Sequence, residues 1–166
     1  MKALFAILGT NLAFLLFPNP LIFAFSASFL SGEFWRILTF HFAHLNLAHF
    51  SQNFLALAFT GVLAAEVGMN EQVFLALFFI PSILLALLSL LIPGLILLGS
   101  SIGIFSLLGA LSIQASRFVP TKVLLPVFAA FTLFGEGFQV LFHLSGLFLG
   151  FLGFSLLKRR RKKILC

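Results

Sequence analysis

Long apolar stretches, separated by short polar or proline-containing breaks, fill most of this chain. The breaks lie at residues 18–20, 68–72, 93–94, 117–122 and 135–137. An apolar stretch of about 17 to 25 residues is long enough to cross a bilayer as a helix. With 61% hydrophobic and 8% charged residues among 166, the chain also has too little polar surface for a soluble globule. The sequence therefore predicts an integral membrane protein.

The breaks predict six helical spans. They lie near residues 3–17, 49–67, 73–92, 98–116, 122–134 and 138–157. The first and fifth are short, so they require a locally thinner bilayer or shielding by other helices. A transmembrane strand barrel is not expected, because apolar and polar residues do not alternate. We expect one all-α domain over residues 1–166, with a core at 32–157 and a basic tail at 158–166.

The net charge is +6, and the positions of the basic residues indicate how the chain is oriented in the membrane. Lys and Arg concentrate on the cytoplasmic side of membrane proteins. With six spans and a cytoplasmic amino terminus, nine of the ten basic residues lie inside and only Arg36 lies outside. The charge therefore predicts two cytoplasmic termini rather than binding to nucleic acid. A cleaved signal peptide in place of the first span leaves the carboxyl-terminal orientation unchanged and stays an alternative.

Four polar residues lie near the outer ends of predicted spans, where unpaired polar groups are costly. Ser101 belongs to the fourth span and His143 to the sixth, while His49 and Asn53 share one face of the second. The topology places all four at a similar depth in the outer leaflet. A hydroxyl beside an imidazole suggests nucleophilic hydrolysis, and an imidazole and an amide can donate hydrogen bonds to an oxyanion.

Each of these residues also has a structural interpretation. A membrane serine often bonds to the carbonyl four residues before it, and His143 alone could join two helices by a hydrogen bond. His41 and His44 are expected to be solvated or structural rather than catalytic. The predicted convergence of Ser101, His143, His49 and Asn53 at one depth favours a hydrolytic site over these separate structural roles.

Small residues on the fourth and sixth spans predict close helix packing. They are Gly103, Ser106 and Gly109 on the fourth, and Gly146, Gly150 and Gly153 on the sixth. Gly146 and Gly150 follow His143 by three and seven residues, so the face that bears His143 is expected to press against a neighbour. Ser101 and His143 are then expected within hydrogen-bond reach.

Several short motifs occur together in a characteristic order. They are Trp35-Arg36, His44-x4-His49-x3-Asn53, Gly99-x-Ser101 and His143-x2-Gly146-x3-Gly150. In this order and at these spacings the chain resembles the rhomboid family of intramembrane serine proteases over about residues 32–157, and its small size resembles the rhombosortase branch.

The resemblance implies a six-helix bundle with a membrane-embedded first loop. It also implies that Ser101 is the nucleophile and His143 its general base, with His49, Asn53 and the Ser101 backbone amide stabilising the oxyanion. Residues implied to be structural are Trp35, Arg36, Gly99, Gly103, Gly146 and Gly150. No metal and no organic cofactor is expected, since the histidines lack a matching carboxylate or thiolate set.

One departure from the family pattern concerns the nucleophile. Rhomboids have glycine directly after the serine, whereas this chain has Ile102 there and glycine one place later, at Gly103. In the alternative register Ser100 is the nucleophile and Leu98 replaces the preceding glycine. We expect Ile102 to narrow the cleft or to hinder the backbone beside the oxyanion site.

Two connecting segments are expected to serve the site. Residues 18–48 are too many for a tight connector and too apolar for open water, so we expect them in the outer interface, with Glu33 and Arg36 paired. Residues 135–137 are expected to form a mobile cap.

The predicted activity is hydrolysis of transmembrane or membrane-anchor segments near the outer leaflet, in a bacterial inner membrane, with membrane proteins and lipid as partners. A rhomboid-like pseudoprotease that binds such segments without cutting them is the alternative. A small transporter is a second, although paired inverted halves are not recognisable in the sequence.

Overall fold

The described part of the chain is helical. The computed structural model describes residues 1–114 and 138–164. Its helices are α1 (Lys2–Phe14), α2 (Arg36–Thr39), α3 (Leu47–Glu66), α4 (Glu71–Ser89), α5 (Ser101–Gln114) and α6 (Phe138–Ile164). Two short 3₁₀ helices, Pro20–Ile22 and Ala27–Ser31, lie between α1 and α2. The predicted all-α architecture is confirmed over these residues.

Asparagine side chains cap the two long helices that follow the first loop. The Asn46 Oδ1 accepts a hydrogen bond from the His49 backbone N–H at 2.8 Å, at the start of α3. The Asn70 Oδ1 accepts one from the Gln72 N–H at 2.8 Å, at the start of α4. Each cap satisfies a backbone donor that has no partner within its own helix. The positions of Asn46 and Asn70 in the sequence therefore determine where α3 and α4 begin.

Three helices of the described residues, Leu47–Glu66, Glu71–Ser89 and Phe138–Lys158, are long and apolar enough to cross a membrane. Two shorter apolar helices, Lys2–Phe14 and Ser101–Ile113, accompany them. These five correspond to the predicted first, second, third, fourth and sixth spans. The predicted fifth span at 122–134 and the predicted cap at 135–137 lie outside the described residues, so the count of six stays a prediction.

The fourth span begins later than predicted, at Ser101 instead of residue 98. Gly99 has a φ of +100°, which is outside the right-handed helical region. Leu97 pairs with Phe25 in an isolated antiparallel bridge, with N···O distances of 2.8 and 2.9 Å. These two features hold residues 97–99 as a non-helical segment before α5.

Helix α5 lies at the centre of the described bundle, where it packs against α3, α4 and α6. Every residue from 102 to 111 is buried. A helix that is apolar on all sides suits this position, because no face of it requires water. Its buried hydroxyl at Ser106 donates to the carbonyl of Leu77 in α4 at 2.6 Å, so the polar group is satisfied by the neighbouring helix.

Glycine lets α6 approach the backbone of α5. A Cβ added at Gly150 would lie 1.9 Å from the carbonyl oxygen of Ser106, and one added at Gly146 would lie 2.8 Å from that of Ile102. Distances this short leave no room for any side chain. The face of α6 that bears these glycines is thus in direct contact with the α5 backbone.

Two glycines of α5 serve different neighbours. A Cβ added at Gly109 would lie 2.0 Å from the carbonyl oxygen of Leu147 in α6. A Cβ added at Gly103 would lie 2.6 Å from the carbonyl oxygen of Phe78 in α4. Helix α5 is therefore held closely on two sides, as expected for packing between membrane helices through small residues.

Buried Arg36 organises the first loop. Its Nη1 donates to the carbonyl oxygens of Leu21 and Ala24, both at 2.6 Å, and its Nε forms an ion pair with the carboxylate of Glu33. The pairing of Glu33 with Arg36 that the spacing predicts is present. A charge this deeply buried requires such partners, so Arg36 fixes the loop from within.

Trp35, next to Arg36, is 52% exposed on the outside of the loop. Its Nε1 donates to the carbonyl oxygen of Ile22 at 3.3 Å. An indole with a bonded N–H and an exposed ring suits the boundary between lipid and water. The expected position of the first loop at the membrane interface stays a prediction.

We predict that Gly150→Ala destabilises the protein by about 1 to 3 kcal/mol or more, because α5 and α6 must separate to admit a methyl group. Gly153→Ala, three residues further along α6, is the matched control, since its Cβ would meet only the Leu77 Cδ2 at an ordinary 3.5 Å. Thermal unfolding in detergent measures both variants. Equal melting temperatures for the two variants would contradict the close contact.

Candidate active site

Ser101 begins helix α5, directly after the turn at Gly99. The backbone N–H of Gly99 donates to the carbonyl of Phe40 at 2.8 Å, which ties this turn to the first loop. Ser101 itself is half-buried. Its N–H is among the first of the helix, which have no acceptor within the helix. The start of α5 therefore presents the Ser101 hydroxyl together with a backbone N–H that has no acceptor in its own helix.

Ser100 has a different environment from Ser101. It is 1% exposed, and its Oγ lies 3.4 Å from the Oδ1 of Asn53. Its carbonyl accepts a hydrogen bond from the Ile104 N–H at 3.1 Å, as expected for the residue that precedes a helix. Of the two serines considered as nucleophile, Ser101 is thus the more accessible.

His49 and Asn53, one turn apart on α3, lie against Gly99. A Cβ added at Gly99 would lie 2.9 Å from both Cε1 and Nε2 of His49, and 3.8 Å from Nδ2 of Asn53. Asn53 is buried, and its Nδ2 donates to the carbonyl of His49 at 2.9 Å. The glycine therefore has two requirements, a left-handed backbone and space for the imidazole. These contacts bring His49 and Asn53 to the turn that precedes Ser101.

His143 reaches this region from α6. Its ring stacks on Phe105 of α5, with centroids 4.3 Å apart and an interplanar angle of 12°. Phe105 follows Ser101 by four residues, so the two side chains share one face of α5. The stack therefore holds the imidazole beside the face of α5 that begins with Ser101.

The side chains of Ser101 and His143 are not hydrogen-bonded to each other within residues 1–114 and 138–164. The buried Nδ1 of His143 also has no hydrogen-bond partner there. Contacts between a nucleophile and its base are often long until substrate is bound. The structure thus brings the two residues onto facing helices, and their hydrogen bond stays a prediction.

Ile102 is taken up by an apolar cluster between helices. It is 4% exposed and packs with Leu85 of α4 and Phe142 of α6. Its backbone is helical, and positive φ values in the described residues occur only at glycine. The Ile102 side chain thus packs in this cluster, and the left-handed backbone next to the serines lies at Gly99. The expected effect of Ile102 on the cleft and the oxyanion site stays a prediction.

His41 is buried rather than solvated. It is 0% exposed, its ring contacts those of Phe40, Phe78 and Phe79, and its Nδ1 lies 3.1 Å from the carbonyl oxygen of Leu38. Because a carbonyl only accepts, Nδ1 carries the proton and donates. Burial lowers the pKa of His41 to about 4. Of the two roles expected for His41, only the structural one fits.

His44 is also buried, and it contacts the site. Its Nδ1 donates to the carbonyl of Phe42 at 3.0 Å, and its ring lies edge-on to that of His49, with centroids 5.2 Å apart. Burial, with a smaller contribution from His49, lowers the pKa of His44 to about 4. His44 therefore supports the His49 ring as a neutral group.

Two contributions were not anticipated from the sequence. The first is the stack of Phe105 on His143, and the second is the contact between Ser100 and Asn53. A signal for the first existed, since Phe105 lies one turn after Ser101 on the face that was expected to meet His143. The second depends on the turn at Gly99, whose direction the sequence does not specify.

Comparison with known proteins identifies one family. The model of the Rhomboid domain matches residues 31–161. No curated protein and no solved structure matches the chain. Among the described residues, no group of three or more His, Cys, Asp or Glu side chains is placed to hold a metal ion.

We predict that acidification destabilises the protein in part through His41. The pKa of its ring falls from 6.5 to about 4 on folding, so the unfolded chain binds more protons between these values. Stability is thus lost as pH falls below about 6.5, by about 2 kcal/mol at pH 5 for this residue. Melting temperatures at pH 7 and pH 5 should differ less in His41→Phe than in wild type.

The control is Phe79→Leu, which alters the same packing without removing a titrating group. It should keep the wild-type difference in melting temperature between pH 7 and pH 5. If His41→Phe showed the full wild-type difference, the prediction would be refuted.

We predict that Ile102→Ala costs about 2 to 5 kcal/mol of stability, and Ile102→Val about 0.5 to 1.5 kcal/mol, because each shortens a side chain packed between α4 and α6. Chemical denaturation in mixed micelles measures the series. If Ile102→Ala proved as stable as the wild type, Ile102 would have to lie outside a packed cluster.

Proposed function

The chain belongs to the rhomboid family, and on that premise we propose that it is an intramembrane serine endopeptidase. In this proposal Ser101 is the nucleophile and His143 the general base. The substrates are transmembrane or membrane-anchor segments of other proteins, cut near one surface of the bilayer. The family consists of intramembrane proteases and their relatives, and this chain is a membrane protein. The proposal adds that Ser101 and His143 form an active catalytic dyad.

The observation that carries the proposal is the approach of two helices, α3 and α6, to the first turns of α5. Helix α3 contributes His49 and Asn53 through their contact with Gly99. Helix α6 contributes His143 through its stack on Phe105. These contacts lie at Gly99 and Phe105, which precede and follow half-buried Ser101 in the chain. Polar side chains from two helices around one serine support hydrolysis over separate structural roles.

The chemistry follows from these positions. His143 takes the proton of the Ser101 hydroxyl as Oγ attacks the carbonyl carbon of the scissile peptide bond. The carbonyl oxygen becomes an oxyanion, which accepts hydrogen bonds from Asn53, from the His49 ring and from the Ser101 backbone N–H. His143 then gives its proton to the leaving amine as the carbon–nitrogen bond breaks, and an acyl-enzyme ester remains. Water attacks the ester with His143 again as base, which releases the carboxylic acid and restores the Ser101 hydroxyl.

The surroundings of His143 fit a dyad. A catalytic histidine is often oriented by a carboxylate, whereas the Nδ1 of His143 is buried without a partner in the described residues. Its ring orientation is fixed instead by the flat contact with Phe105. In this proposal stacking replaces the third member of a triad.

The position of the site also indicates the kind of substrate. Ser101 lies at the first turn of an apolar helix that packs against α3, α4 and α6, each long and apolar enough to cross a membrane. A peptide bond inside a stable helix is hidden from a nucleophile, so a substrate must unwind locally to react. Membrane segments with helix-weakening residues near one end meet this condition. We place this end of the bundle at the outer surface, opposite the basic run at 158–163.

We predict that a fluorophosphonate probe labels Ser101 in the detergent-purified protein. Ser101→Ala should abolish labelling, and His143→Ala should slow it by about 10³-fold or more, because the hydroxyl is a poor nucleophile without its base. The labelled residue is read by mass spectrometry. Ser145→Ala, which removes a half-buried hydroxyl two residues from His143, is the matched control and should label at the wild-type rate.

The outcomes separate the candidate functions. Label on Ser101 that depends on His143 supports the dyad, and cleavage of a reconstituted transmembrane peptide would then define the bond that is cut. Label on Ser100 would shift the nucleophile by one residue. A folded wild-type protein that takes no label, and that still binds transmembrane peptides, would be a pseudoprotease.

A further inference from the structure

The side-chain amide of Asn53 has two fixed neighbours. One is the carbonyl of His49, which lies 2.9 Å from Nδ2, and the other is the hydroxyl of Ser100, which lies 3.4 Å from Oδ1. Asn53 is 5% exposed and Ser100 is 1% exposed, so bulk water does not compete for either contact. Both neighbours therefore act on the orientation of this amide.

The chemistry of the neighbours determines which way the amide faces. A backbone carbonyl can only accept a hydrogen bond, so the edge that faces His49 must be the NH₂ group. The oxygen edge then faces Ser100, and the Ser100 hydroxyl must be the donor. One N–H of Nδ2 is used by the His49 carbonyl, which leaves the second N–H. That nitrogen lies 3.8 Å from the position a Cβ of Gly99 would occupy, next to the start of α5.

We propose that Ser100 is a positioning residue, which holds the Asn53 amide so that its second N–H is directed at the oxyanion. The inference rests on the proposed function, since it assigns Ser100 a role in the oxyanion site of that reaction. It also explains why two serines lie side by side here. Ser101 supplies the nucleophile, while the donor proton of Ser100 is engaged by Asn53.

The length of the contact sets the size of the expected effect. A hydroxyl donor usually lies about 2.7 to 2.8 Å from its acceptor, so a contact of 3.4 Å is a weak hydrogen bond. Loss of the whole Asn53 donor should slow the reaction about 10²-fold. Loss of the hydroxyl that only orients it should slow the reaction less, by about 3- to 10-fold.

The test is a double-mutant cycle on the rate at which a fluorophosphonate probe labels Ser101 in the full-length protein. The variants are Ser100→Ala, Ser100→Cys, Ser100→Thr, Asn53→Ala and Ser100→Ala with Asn53→Ala. Ser100→Ala and Ser100→Cys lack a strong donor and should each slow labelling about 3- to 10-fold. Ser100→Thr keeps the hydroxyl and should restore the rate to within about twofold of wild type. In the Asn53→Ala background, Ser100→Ala should have no further effect, because the group that it orients is gone.

A structural control accompanies the cycle. Ser106→Ala removes another buried hydroxyl of α5, one that donates to the Leu77 carbonyl. It should lower the melting temperature and leave the labelling rate of the folded protein unchanged. The positioning role is overturned if Ser100→Ala slows labelling by the same factor in the Asn53→Ala background as in the wild-type background. It is also overturned if Ser100→Thr labels as slowly as Ser100→Ala. A wild-type protein that is not labelled on Ser101 overturns the proposed function itself, whereas intact labelling with an additive cycle overturns only the role of Ser100.

Discussion

The contact between the backbones of α5 and α6 is the constraint on which the site depends. At Gly150 the α6 backbone meets the Ser106 carbonyl so closely that a single methyl group could not enter. Because His143 lies two helical turns before Gly150, this contact fixes how near the imidazole comes to the face of α5 that bears Ser101 and Phe105. A wider spacing between these helices would remove the stack on Phe105 and, with it, the orientation of the ring.

The first loop provides the second constraint. Arg36 holds the loop from inside, the loop holds residues 97–99 through the bridge between Phe25 and Leu97, and the Phe40 carbonyl accepts the Gly99 N–H. The start of α5 is thereby held by hydrogen bonds to a segment outside the helical bundle. The left-handed turn at Gly99 then leaves space for His49, so that the geometry around Ser101 depends on the loop as much as on the helices.

Much of this arrangement could be predicted from the sequence, because lipid imposes simple rules on apolar length and small residues. Five predicted spans correspond to described helices, and the Glu33 and Arg36 pair follows from a spacing of three. The remaining features have local causes. His41 was expected to be solvated or structural, and the structural role fits, because neighbouring phenylalanine rings and the Leu38 carbonyl enclose it. The late start of α5 and the contact of Ser100 with Asn53 both arise from the turn at Gly99, and one sequence does not reveal which glycine adopts a left-handed conformation.

The isoleucine at position 102 shows how the close helix contact tolerates a departure from the family pattern. Where the backbones of α5 and α6 touch, a glycine on one of the two helices is enough. Gly146 of α6 contacts the carbonyl of Ile102, and further along Gly109 of α5 contacts the carbonyl of Leu147. At the level of Ile102 the glycine is supplied by α6, so the isoleucine side chain can turn into the cluster with Leu85 and Phe142. The backbone approach that brings His143 to α5 is therefore kept without a glycine directly after Ser101.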